Sequence, residues 1–349
     1  MKNFNLLILR QSQNFGCKFT TLNIGIMMID RNSRNFSFPS QLAILLGLIG
    51  GGLIIGAVVS FVIWLAMTGR GIATMQTDIF NPRYYGAIMW MQAVSTFMMF
   101  FLPVYFFALI CYRNPVKFIG FNTRFNSKQL LILMAIVLLT FPLSGALAEL
   151  TKMIPISKSW QVYFKAKEAA RAAQEKALIN INTFPKYIVS MIIIALLPAI
   201  FEEVCFRGGI QNILTRWFKG PWAAIILTSI IFSAVHISYY GFLVRFVLGV
   251  FLGFAFYYSG SLWLSIIFHF LYNGLQVTAL YFSTNSAGKV PDNAKDLEGS
   301  FPLWAGVVAL VLIIYAFMKF REISIREQEK YVMPEEDPDD YHNWITKES

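Results

Sequence analysis

Two adjacent carboxylates, Glu202 and Glu203, sit in an otherwise apolar stretch that runs Ile-Ile-Ile-Ala-Leu-Leu-Pro-Ala-Ile-Phe-Glu-Glu-Val-Cys-Phe-Arg. A carboxylate at membrane depth costs roughly 2.5–3.5 kcal/mol on insertion scales, so it marks a functional position. Two further apolar segments each carry one histidine, His236 and His269, out of three in the chain. Buried acid and buried imidazole together can activate a water molecule. On a helix, Glu203 and Arg207 share a face, being four residues apart. Glu202 points about 100° away. One carboxylate is then neutralised by arginine and the other is left to face a cavity; the plainer alternative is a polar seam between helices. Phe232 precedes His236 by one turn and can wall the site. His269 and Asn273 are also four apart, and imidazole and amide donors on one face can hold the oxyanion of a tetrahedral intermediate. Two other readings stay open: His269 as a metal ligand supported by Asn273, and a polar pair bonded to a neighbouring helix.

These residues need membrane helices to position them. The chain has 349 residues, 56% hydrophobic and 14% charged, with 33 Phe and 8 Trp. A soluble domain is nearer 25% charged, so the composition predicts an all-α, polytopic helix bundle. Runs of ~20 apolar residues span a bilayer. Eight are present: Gln41–Met67, Gly86–Tyr112, Leu130–Leu150, Tyr187–Phe218, Pro221–Ile237, Phe242–Tyr258, Ser261–Phe282 and Leu303–Phe320. From Glu202 to Phe218 is ~24 Å of helix and from Pro221 to His236 ~22 Å. The short Lys219-Gly220 turn makes these helices antiparallel, so Glu202 and His236 come level.

The organisation that follows is an N-terminal segment 1–40, three membrane helices in 41–150, a loop 151–186, a core 187–282, a loop and last helix 283–320, and a polar tail 321–349. The loop contains Trp160–Leu178, a charged amphipathic pattern suited to the membrane face. Lys and Arg are in excess on the side of the N-terminus, with the loop 151–186 as the exception; this puts both termini in the cytoplasm of a multi-pass protein of the cell membrane. The net charge of +10 is then explained by basic loops, and no nucleic-acid-binding signature is present.

Other features carry less. Cys17, Cys111 and Cys205 lack the spacing of a disulfide framework or zinc site. Gly249 and Gly253 form a helix-contact spacing, Gly50-Gly51-Gly52 permits close approach, and Arg245 can snorkel outward. The acidic run Glu335–Asp340 and His342 belong to a solvated tail. Met27-Met28, followed by Asp-Arg-Asn-Ser-Arg, suggests a start there. HExxH, GxSxG and P-loop patterns are absent, which removes most of the weight from serine hydrolases and ATP-driven pumps.

Taken in order, Glu202-Glu203-Val204-Cys205-Phe206-Arg207 resembles the E-E-x-x-x-R motif, Phe232 to His236 resembles F-x-x-x-H, and His269 to Asn273 resembles H-x-x-x-N. These are the three motifs of the CPBP family of CAAX prenyl proteases and bacteriocin-processing enzymes, and the resemblance covers roughly 185–280. It implies an intramembrane endopeptidase acting on a peptide or membrane-associated protein, with the bilayer as its other partner. By position, Glu202 corresponds to the water-activating residue and His236 to its helper. Glu203 and Arg207 correspond to the supporting pair, and His269 and Asn273 to the oxyanion pair. The family is commonly classed as metalloproteases, while its eukaryotic members are also described as glutamate-dependent. Glu202, His236 and His269 would make a three-ligand zinc site with an open position; without metal, Glu202 is the base. Two other classes use the same residues: a proton-coupled transporter, since intramembrane Glu and His serve proton relays, and a non-catalytic immunity or scaffold protein that keeps the fold.

Overall fold

The computed structural model describes residues 30, 32–79, 81–178, 181, 183–287 and 301–330. Cys17, the Met27-Met28 pair, the acidic run Glu335–Asp340 and His342 lie outside these residues. Among the described residues every regular element is helical. In chain order they are α1 (Phe38–Thr68), α2 (Ile72–Asp78), α3 (Tyr85–Cys111), α4 (Pro115–Ile119), α5 (Ser127–Met153), α6 (Lys158–Leu178), α7 (Phe184–Phe218), α8 (Pro221–Ala234), α9 (Phe242–Ser259), α10 (Leu262–Ala287) and α11 (Leu303–Glu329).

Each of the eight apolar runs forms a helix, although the one over 221–237 is helical only to Ala234. Among the described residues six helices, α1, α3, α5, α7, α9 and α11, are long and apolar enough to cross a membrane. Helix α8 is shorter, and α10 carries His269, Asn273 and Gln276 among its apolar residues. Large apolar side chains on α1 (Leu53, Ile54, Val58) and α11 (Val307, Val311, Met318) face outward. A polytopic protein places such a surface against acyl chains. The protein is a multi-pass membrane protein.

Local chemistry sets the boundaries. The Ser37 side chain accepts from the Ser40 amide and starts α1; Gly69, in the left-handed region, ends it. Asn126 and Gln129 form a reciprocal capping box at the start of α5. Proline also shapes the interiors. A π-helical turn at 97–101 precedes Pro103 in α3, and another at 191–196 precedes Pro198 in α7. Proline lacks an N–H and its ring crowds the carbonyl one turn back, and widening that turn accommodates it. A third π-helical segment, Val204–Gln211, includes Gly208-Gly209. It was not foreseen from the sequence, and it lies between the paired glutamates and the end of α7.

Two apolar cores support the bundle. One joins α1, α3, α4, α7 and α8 around Phe107, Phe206, Ile213 and Phe232. The other joins α5, α9, α10 and α11 around Ile136, Leu252, Phe268 and Phe320. Glycines allow close contacts at chosen points. A Cβ at Gly52 would strike the Met98 carbonyl, whereas Gly50 and Gly51 have open space beside them. Only the third glycine of that run serves a helix contact.

At one end of the bundle a buried polar cluster fixes the segment before α1. Asp30 accepts from Arg216 Nη1 at 2.5 Å, Tyr112 Oη at 2.8 Å and Gln41 Nε2 at 3.1 Å. The Arg216 guanidinium also lies over the Tyr112 and Phe118 rings. This cluster is structural and lies apart from the motif residues.

Helices α5 and α11 meet at Gly306, where an added Cβ would collide with that of Ala146. Overpacking of this kind costs about 1–3 kcal/mol. Gly306→Val is expected to lower the thermal midpoint of the purified protein by several degrees, read by scanning fluorimetry in detergent, while Gly50→Val leaves it unchanged.

Candidate active site

The site forms where α7, α8, α9 and α10 converge. Glu203 and Arg207 on α7 are fully buried, each with 0% of its side chain exposed, and their ion pair is 2.7 Å long. The expected pairing across four residues is present, although the helix changes from α to π hydrogen bonding between them. Glu203 Oε1 also accepts from His269 Nδ1–H of α10 at 2.9 Å, and Oε2 accepts from the Ser265 hydroxyl, one turn before His269. One carboxylate therefore joins two helices through three donors. Ser265 was not singled out from the sequence; its spacing of four from His269 was the signal available.

Arg207 extends the network to α9. Its Nη2 donates to the Gly249 carbonyl at 3.1 Å, and Gln211, four residues on, donates to the Gly253 carbonyl at 3.0 Å. The glycine spacing read as a contact surface thus supplies contact and acceptors together. Gly249 packs on Ser229 of α8, and Gly253 on Ile225 of α8 and Gln211.

Phe232 is the hub of the site. Its ring lies 4.8 Å beneath the Arg207 guanidinium carbon. It packs edge-to-face on Phe206 and His236, both with centroids 5.1 Å away, and on His269 at 6.0 Å. One aromatic side chain thus touches residues from all three motifs. A guanidinium over a desolvated ring gains about 2 kcal/mol or more.

His236 differs from the sequence expectation. Helix α8 ends at Ala234, so His236 lies in the following turn instead of inside the helix. The physical reason is local. The Phe232 carbonyl, which a continuing helix would bond to the His236 amide, accepts instead from His236 Nδ1–H at 2.7 Å. The His236 amide bonds to the Ser233 carbonyl, and Ile237 follows in the left-handed region at φ 48°. The imidazole closes its own helix.

These bonds fix the tautomers. A carbonyl only accepts, so His236 Nδ1 carries the proton. The Glu203 carboxylate likewise takes the His269 Nδ1 proton. In both rings the nitrogen that these bonds leave unassigned is Nε2.

Glu202 is half-buried beside its fully buried neighbour. The charges acting on it are those of His269, Glu203, Arg207 and Arg245. Arg245 does not simply snorkel outward, because its Nη1 is buried next to Gly241. Asn273 is half-buried on α10, and its side chain makes no hydrogen bond among the described residues. Cys111 and Cys205 are free and buried, as expected of packing residues. Among the described residues no three His, Cys, Asp or Glu gather as a set able to hold a metal ion.

Residues 184–275 match the family described as Rce1-like, type II CAAX prenyl endopeptidase Rce1-like. The match places this segment, from the start of α7 to just beyond Asn273, in the CPBP/CAAX protease family. No curated protein and no solved structure matches the chain significantly.

Removing one member of a buried ion pair leaves an uncompensated charge and costs about 3–5 kcal/mol. Arg207→Met and Glu203→Gln singly are expected to lower stability by that order. The double variant is expected to recover a large part of it. Denaturant or thermal unfolding of the four proteins measures the coupling.

Proposed function

We propose that the protein is an intramembrane endopeptidase whose nucleophile is a water activated by Glu202 and oriented by His236. The observation that carries this reading is the convergence on Phe232 and Glu203 of residues from three separate motifs, within the segment matching an endopeptidase family. A purely structural polar seam does not need a half-buried acid beside a fully paired one.

In this mechanism His236 Nε2 accepts one hydrogen of the water and Glu202 removes the other as the oxygen attacks the scissile carbonyl carbon. The carbonyl π electrons move to oxygen. His269, held through Nδ1 by Glu203, lines the oxyanion position, and Asn273 donates from its amide to the oxyanion. Collapse reforms the carbonyl and breaks the C–N bond. Glu202 returns its proton to the leaving amine, so the products are a carboxyl and an amine terminus. Glu203 cancels the Arg207 charge. No step requires a metal.

The substrate is a peptide or a membrane-associated protein. The excess of Lys and Arg on the N-terminal side supports a topology with both termini in the cytoplasm.

Glu202→Gln, His236→Ala and His269→Ala are each expected to lower cleavage by at least about 10²-fold, and Asn273→Ala by about 10²–10³-fold, with membrane insertion retained. Comparative proteomics of wild-type and Glu202→Gln cells, searched for accumulated precursors, tests the reading and identifies the substrate. Equal precursor levels in the two strains overturn it. Zinc analysis is a separate check: cleavage is expected to survive dialysis against a chelator, with less than one zinc per chain.

A further inference from the structure

The turn that carries His236 is held in a conformation its own sequence does not favour. Ile237 has φ 48°, a region that β-branched residues occupy only as outliers. Burial does not compensate for this, because the Ile237 side chain is 68% exposed. Backbone strain of this kind persists only where the surrounding structure over-determines it.

Part of the surrounding structure is α6. Phe164 of α6 stacks on Tyr239, with centroids 5.0 Å apart and planes 18° apart. One turn further along α6, Glu168 Oε1 accepts from the Ser238 hydroxyl at 2.5 Å. Ser238 Oγ in turn accepts from the Gly241 amide at 3.1 Å. The turn is also tied to α8 and α9 by backbone bonds, by His236 Nδ1–H on the Phe232 carbonyl, and by Ser233 Oγ, which donates to the Phe242 carbonyl at 2.6 Å. Gly241 is needed for space, since a Cβ there would strike Arg245 and lie 2.9 Å from Ser238 Oγ.

We propose that α6 is a clasp that sets the position of His236, with Phe164 and Glu168 as positioning residues of the reaction. The proposal rests on the reading of His236 as the residue that orients the water. Without the clasp, Ile237 relaxes out of the left-handed region and carries His236 Nε2 away from Glu202.

The test uses the full-length protein in nanodiscs and two readouts. The first is hydrogen–deuterium exchange of the 235–241 amides. The second is kcat and KM on the precursor peptide identified by the Glu202→Gln comparison. Glu168→Ala and Phe164→Ala are each expected to speed exchange in 235–241 by about tenfold and to lower kcat by about tenfold, with KM nearly unchanged. Glu168→Gln keeps an acceptor for Ser238 and is expected to behave like wild type.

Ile237→Asn supplies a residue that tolerates positive φ. Alone it is expected to be close to wild type; combined with Glu168→Ala it restores slow exchange and most of kcat. Unchanged exchange in Glu168→Ala and Phe164→Ala overturns the clasp. Faster exchange with unchanged kcat overturns its positioning role, and so does failure of Ile237→Asn to restore either readout. A wild-type protein that cleaves no precursor removes the endopeptidase reading instead, and the exchange measurement then decides the clasp alone.

Discussion

The constraint on which the site depends is the charge on Glu203. An ionised carboxylate withdrawn from water is tolerated only if it is hydrogen-bonded and its charge is opposed nearby. Glu203 meets this with Arg207, His269 and Ser265. Each partner is then fixed in turn: Arg207 against the Gly249 carbonyl and the Phe232 ring, and His269 in a single tautomer. The carboxylate thus orders three helices around itself, while Glu202 next to it is left half-buried. The two neighbouring acids differ in surroundings more than in sequence.

Much of this arrangement could be read from spacing. The Glu203–Arg207 pair, the shared face of His269 and Asn273, and the packing of Gly249 and Gly253 all follow from helical periodicity. Periodicity could not show where a helix stops. The end of α8 depends on a side-chain nitrogen taking a backbone acceptor, which is a tertiary choice made within one turn. The π-helical segment around Arg207 was equally hidden, since nothing local in Val204–Gln211 beyond its two glycines marks it. Ser265 and the clasp formed by α6 were missed because their importance lies in what they touch. The charged pattern of 158–178 gave the helix but not its contact with the turn after α8.

Phe232 shows how an apolar residue can organise polar ones. Its ring meets a guanidinium on its face and two imidazoles edge-on. It also excludes water from the Glu203–Arg207 pair, and interactions between charges strengthen as the local dielectric falls. Packing and electrostatics are therefore not separable here. A smaller side chain at 232 would open space and admit solvent in the same change.

The two carbonyl contacts between α7 and α9 have a mechanical consequence. Arg207 and Gln211 meet Gly249 and Gly253 at matched intervals, like two teeth in two notches. Sliding α9 by one turn, about 5.4 Å, would move one tooth into the other's notch and strand the second in apolar surroundings. These helices are keyed against axial travel. Any rearrangement of the bundle must then come from elements outside this pair.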